Sequence, residues 1–257
     1  MPMARNREID FSPLLMMNLA IDIGNSRTKL GFFVGDDLVE KRTLEHWTPK
    51  EIIELATNQA VENVILSNVA NRVSTQLVQY LATNYFFIEL NENTALPIAN
   101  NYQTPQTLGK DRLAAVVGAY QLYPKTNCLV VDAGTCITFD VLTADGIYLG
   151  GNIAPGINMR LEAMHQFTAN LPKVEKKTSK YWLGRTTEEA LVNGGIMGVS
   201  LELEGMIRLC REKLGEINVI LTGGDAEFLA KTLKSKIFVN QNLVLIGLNK
   251  ILVHNVD

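Results

Sequence analysis

The chain is poor in the residues that most often build metal, redox and disulfide sites. Its 257 residues include three cysteines, three histidines and two tryptophans. Cys128, Cys136 and Cys210 are too few and too scattered for a disulfide framework. Cys128 and Cys136 lie in or beside apolar strands and read as reduced core residues, which points to a cytoplasmic setting. His46, His165 and His254 lack zinc-ligand spacing and take surface or core roles. Trp47 and Trp182 read as packing residues. No apolar run reaches the roughly 18 residues of a membrane-spanning helix, so no membrane partner is expected. The net charge is −3 with acids and bases interspersed, which excludes the basic stripe of a nucleic-acid binder. Near the start, Arg5 and Arg7 precede only a short apolar patch, Leu14 to Met17, with no small-residue cleavage site. Residues 1–17 therefore read as a disordered extension, with Met16 or Met17 able to serve as the natural start.

What the chain does have is apolar bulk, 47% against 20% charged, enough for one large domain or two modest ones. The stretch Leu19 to Phe33 is an apolar run broken at Asp22-Ile23-Gly24-Asn25-Ser26-Arg27-Thr28-Lys29 and then resumed. That pattern predicts a strand, a tight turn and a returning strand. Gly24 permits close backbone approach, while Asn25 and Ser26 suit turns and offer hydrogen-bonding side chains. An acid at the strand end, small polar groups and a following lysine suit a phosphate with an associated metal. A plain hairpin with a polar turn is the alternative.

The pattern recurs at Cys128 to Leu142, where Asp132-Ala133-Gly134-Thr135 interrupts a second apolar pair of strands. In both halves a third strand and then helices follow, so the chain reads as a duplicated mixed α/β unit. The division falls at residues 18–123 and 124–257. Two phosphate-type hairpins can hold a polyphosphate nucleotide between them. Thr222-Gly223-Gly224-Asp225, between a strand and a helix, can admit a nucleoside or be only a turn.

Residues 91–108 form a connection longer than usual and a candidate functional loop. It leads into Gly109-Lys110-Asp111-Arg112 and an apolar helix, Leu113 to Leu122. Asp111 is placed to accept the proton of an alcohol nucleophile, and Arg112 to fork onto a carboxylate. Their bland alternatives are a helix cap and a solvated charge cluster. After Thr186-Thr187-Glu188-Glu189 a helix is expected to about Leu214, broken or closely packed at Gly194, Gly195 and Gly198. This helix and Leu113 to Leu122 are candidate subunit interfaces, with core packing as the alternative.

Taken together, the Asp22 turn, the Asp132 turn and Thr222-Gly223-Gly224-Asp225 resemble the phosphate-1, phosphate-2 and adenosine motifs of the acetate and sugar kinase, Hsp70 and actin superfamily. Gly109-Lys110-Asp111-Arg112 and Gly150-Gly151-Asn152-Ile153-Ala154-Pro155-Gly156 resemble those of type III pantothenate kinases, over about residues 19–250. The resemblance implies two ribonuclease-H-like (actin-like ATPase) domains, each a mixed five-stranded sheet flanked by helices, with ATP in the cleft between them. It implies transfer of the ATP γ-phosphate to the primary hydroxyl of pantothenate, a homodimer, Mg2+ and a monovalent cation, K+ or NH4+. Asp111 then matches the general base. Tyr102, Gly109, Lys110, Asp111, Arg112 and Thr187 match substrate contacts. Asp22 through Lys29 and Thr135 match ATP contacts, and Asp132 the cation ligand. A regulatory superfamily member that uses ATP as a switch is the competing class, and a kinase for another small acid or sugar is a third. A switch needs no substrate base, and the sugar kinases' Cys/His cluster is absent.

Overall fold

A computed structural model of the chain describes residues 16–24, 27–68, 73–178 and 181–256. Most of the extension expected over 1–17 lies outside these residues, as do Asn25 and Ser26; Met17 already opens the first strand.

The first half begins with an antiparallel meander, β1 (Met17–Ile23), β2 (Thr28–Val34) and β3 (Asp37–Leu44). Helix α1 (Pro49–Asn58) starts at a capping box in which Thr48 and Glu51 satisfy each other's backbone N–H groups. Strand β4 (Val61–Asn68) runs parallel to β1, and after α2 (Thr75–Asn84) β5 (Phe86–Glu89) runs parallel to β4. The connection 91–108 carries a two-residue strand, β6 (Ala99–Asn100), and leads into α3 (Lys110–Leu122). Helix α3 thus starts within the Gly-Lys-Asp-Arg motif and not after it.

The second half repeats the plan with β7 (Cys128–Ala133), β8 (Cys136–Leu142) and β9 (Ile147–Pro155), then α4 (Ile157–Gln166) and α5 (Thr187–Leu214). Strand β10 (Asn218–Thr222), α6 (Ala226–Ala230), β11 (Phe238–Val239) and α7 (Leu243–Val256) complete it. The sheets have the orders β3-β2-β1-β4-β5 and β11-β10-β7-β8-β9-β6. Read from β9, the second sheet repeats the first strand for strand, in order and direction. The expected five strands hold for the first sheet. The second has six, because β6 from the long connection adds in parallel beside β9.

Side-chain alternation sorts the core into layers. Leu19, Ile21 and Ile23 of β1 pack with α1 and α2 on one face of the first sheet. Leu129, Val131 and Ala133 of β7 pack with α4, α5 and α6 on the outer face of the second. Between the sheets lie α3 and α7, sharing one core with Ala20, Ile65, Val130 and Leu142. Residues 112–119 are buried throughout, so α3 is internal core and not the subunit interface its apolar pattern also allowed.

Helix α5 is not interrupted at its glycines. At Gly195 a Cβ would lie 2.7 Å from Leu161 Cδ2, so close packing on α4 accounts for the small residue there. Two further expectations are corrected. Cys136 is exposed, while Cys128 and Cys210 are buried; all three are free. Trp182 is 74% exposed and packs no core.

Candidate active site

The layering aims both hairpin aspartates inward. Asp22 shares a strand face with Ala20, and Asp132 with Val130; both residues belong to the middle core. Asp111 arrives between them on the first turn of α3. The three carboxylates are close enough to act on one another's charge. Burial, the Asp111 charge and, more weakly, Asp132 push Asp22 up to about 7, opposed by Lys29, its partner across the β1–β2 ladder. Asp132 rises to about 6 for the same leading reasons, burial and then Asp111. Asp111 is also raised, chiefly by burial, against hydrogen bonds from backbone N–H groups.

Asp111 Oδ1 accepts the Arg112 backbone N–H at 2.9 Å, and no side chain among the described residues hydrogen-bonds the carboxylate. A Cβ at Gly109 would lie 2.7 Å from that Oδ1, which explains the glycine before it. Asp22 Oδ1, Ser67 Oγ and Asn68 Oδ1, at the ends of neighbouring strands, are buried without a hydrogen-bond partner.

Backbone turns converge beside Asp132. Gly24 N–H donates to Arg27 O at 3.1 Å in the first hairpin, and Gly134 N–H to Cys136 O at 2.9 Å in the second. Asp225 N–H donates to Ala133 O at 2.9 Å, bringing the Thr222-Gly223-Gly224-Asp225 turn onto the β7 end. Gly223 has φ +92°, and a Cβ there would sit 2.4 Å from Asp132 Oδ1. Thr135 is exposed at this convergence.

A second group lies on the other side of Asp111. Arg112, 5% exposed, forks onto Asp140: Nη2 reaches Oδ1 at 2.7 Å and Nε reaches both oxygens at 3.1 and 3.2 Å. Tyr148 donates its hydroxyl to Asp140 Oδ1 at 2.6 Å. The Tyr102 ring stacks on Tyr148, centroids 6.1 Å apart and planes at 4°, and the Arg112 guanidinium lies 5.6 Å from the Tyr102 centroid.

A family model described as type III pantothenate kinase matches residues 18–209. The chain belongs to this family. A curated type III pantothenate kinase of Christiangramia forsetii is 42% identical over 244 residues, covering 93% of this chain and 99% of that one. Among solved structures, a Campylobacter jejuni protein described as a putative Baf family transcriptional activator aligns with TM-score 0.60 at 26% identity, over 92% of this chain and 98% of its own. A putative N-acetylmannosamine kinase from Listeria monocytogenes aligns with TM-score 0.56 at 13% identity over 94% of this chain and 100% of its own, a likeness of fold alone. The fold is that of the actin-like ATPase kinases. The reaction is the ATP-dependent phosphorylation of pantothenate, the first step of coenzyme A synthesis.

As a type III pantothenate kinase, the chain brings most of its sequence-marked residues into one region. Asp22, Lys29, Asp111 and Asp132 act on one another electrostatically, and Tyr102 and Arg112 flank them. Lys110 is half-buried at the α3 start. Ile23 and Thr28 are buried, and their roles are packing and pairing. Arg27 is exposed and pairs with Glu45 at 3.6 Å. Thr187 stands exposed at the start of α5, where the neighbouring bonds run within 177–193 and not to Asp111. Sequence reasoning passed over Asp140, Tyr148 and Ser67. An acid inside the apolar run Ile137 to Leu142 was the available signal for Asp140.

Proposed function

We propose that Asp111 is the general base of the pantothenate kinase reaction and that Tyr102 and Arg112 hold the substrate beside it. The observation that carries this reading is the Asp111 carboxylate, bonded by backbone N–H alone and within electrostatic reach of Asp22, Asp132 and the buried Arg112. The pantothenate hydroxyl oxygen forms the new bond to the γ-phosphorus, the β–γ bridging bond breaks, and the hydroxyl proton passes to Asp111. A raised pKa suits a group that must take a proton late in the transfer. Lys29 and Thr135, beside the two hairpin turns, would meet the phosphates.

Mg2+ fits the Asp22 region, where orphaned buried oxygens of Asp22, Ser67 and Asn68 form an all-oxygen set suited to a hydrated ion. Bound there with ATP, it would neutralise phosphate charge. Asp132 is the proposed ligand of a monovalent cation, K+ or NH4+, which suits its buried carboxylate. We further infer a homodimer and a cytoplasmic location. Free cysteines support the latter, and no described helix is long and apolar enough to cross a membrane.

A coupled ADP-release assay with pantothenate, in K+ and in Na+, tests the assignment. Wild type turns over faster in K+, and Asp111→Asn lowers kcat by about 10²–10⁴-fold, the usual contribution of a positioned base. Undiminished turnover by the variant removes Asp111 from the role, and equal rates in the two salts remove the cation.

A further inference from the structure

We infer that Asp140 is a positioning residue for the acidic substrate, holding two of its contacts at once through a carboxylate that never touches it. This rests on the reading of Tyr102 and Arg112 as substrate contacts. Asp140 is fully buried in mid-strand, paired across the ladder with Gly151. A Cβ at Gly151 would fall 1.8 Å from Phe139 O and 2.6 Å from Asp140 Oδ1, so the glycine makes room for the carboxylate. Alternation puts Asp140 on the same strand face as Leu142, toward the middle core, whereas Ile137 and Phe139 face outward to α4 and α5. From there the carboxylate reaches Arg112 on α3 and Tyr148 on β9.

The consequences follow from burial. A guanidinium that is 5% exposed cannot wait unpaired for a substrate that comes and goes. Asp140 supplies the standing counter-charge, so Arg112 stays in one rotamer between turnovers. Nε and Nη2 are spent on Asp140, and the guanidinium also meets Tyr102, the other proposed substrate contact. Through Oδ1 the same carboxylate fixes the Tyr148 hydroxyl, and the Tyr148 ring carries Tyr102 in a parallel stack. Gly150, at φ +108°, lies under Tyr102, where a Cβ would be 3.5 Å from the ring. One buried acid thus orients both residues that would meet the substrate.

Steady-state kinetics of Asp140→Asn, Tyr148→Phe, Arg112→Gln and the Arg112→Gln/Asp140→Asn double variant test this. Asp140→Asn raises the pantothenate KM by about tenfold or more, as expected for loosening a charged hydrogen-bonded contact. It leaves the ATP KM within about twofold, since the Asp140 carboxylate hydrogen-bonds Arg112 and Tyr148 and no group of the nucleotide turns. Tyr148→Phe raises the pantothenate KM by about threefold, the loss of one neutral donor. Because Asp140 acts largely through Arg112, its effect in the Arg112→Gln background shrinks to no more than the roughly threefold carried by Tyr148. A purely structural role instead lowers active enzyme and thermal stability while leaving the pantothenate KM of the folded fraction unchanged. If Arg112→Gln raises KM but Asp140→Asn does not, or the two effects add fully, the positioning role is overturned. If Arg112→Gln leaves KM unchanged, the substrate-contact reading falls and this proposal with it. Should Asp140→Asn fail to fold, Tyr148→Phe decides the matter: an unchanged pantothenate KM overturns the role.

Discussion

Asp22 is 7% exposed with one oxygen unpaired, and it destabilises the ligand-free fold that holds it. In the unfolded chain its carboxyl loses its proton near the ordinary 3.8, whereas in the fold it keeps it to about 7. Between those values the folded state binds more protons than the unfolded state. Stability contributed by this group is therefore full at the acid end and is lost as pH rises toward 7 and beyond. Asp22→Asn removes the buried charge and is predicted to stabilise the ligand-free protein at pH 8 by about 1–3 kcal/mol. At pH 5 the gain shrinks to about a third, because the unfolded carboxyl ionises above 3.8, while kinase activity is lost at both. Thermal melts of both proteins at the two pH values check this; an equal shift at both, or a destabilisation at pH 8, contradicts it. Asp22 was legible because its meaning is local, an acid before a glycine turn. So was Asp111, at the mouth of a helix. Asp140 was not, because its role depends on α3 crossing β8, a contact between residues far apart in sequence that no local pattern encodes.

At the scale of elements, the crossing of α3 and α7 sets where Asp111 stands. A Cβ at Gly247 would fall 1.7 Å from Ala114 O, and one at Gly118 would fall 2.2 Å from Leu243 O. The two helices touch backbone to backbone, which only glycine allows. Gly247→Ala would ordinarily favour a helix interior. Here it must push α7 away from α3, and the expected cost is about 1–3 kcal/mol of overpacking. Since α3 bears Asp111 at its first turn, kcat should fall as well. Denaturant unfolding and the ADP assay measure both effects; a stabilised, fully active variant would refute the crossing. Strands and most helices were legible from periodicity, because each exposes one face to a partner. Helix α3 was ambiguous because it is apolar all round, which fits burial and a subunit contact equally. The sixth strand was invisible, since two residues carry no alternation and β6 exists only because β9 offers an edge.

At the scale of the molecule, the repeated sheets and their shared middle layer leave one direction on α5 uncovered. Leu201 is 66% exposed and Leu209 45%; eight residues apart in sequence, they lie near one stripe of the helix. Beside them, Arg160 on α4 pairs with Glu202, and Asn152 at the end of β9 approaches Met206 Sδ at 3.9 Å. Apolar groups gathered on the outer side of the second sheet and rimmed by charge mark a surface for another protein. A second copy of the chain is the occupant we propose, the homodimer that membership of this family leads us to expect. An interface between copies desolvates Leu201, so a carboxylate there would be buried without a partner. Leu201→Glu is therefore predicted to move the protein from twice the 28.5 kDa chain mass to that mass in light scattering, while an exposed helix position tolerates the change in the monomer. Wild type running at the single-chain mass at micromolar concentration would remove the dimer, and an unaltered dimer in Leu201→Glu would move the interface elsewhere. Activity of the resulting monomer then separates two roles for the contact. Full turnover means the site is complete within one chain; its loss means that pairing holds the α4–α5 layer, and with it the nearby Gly156 turn, in the active arrangement.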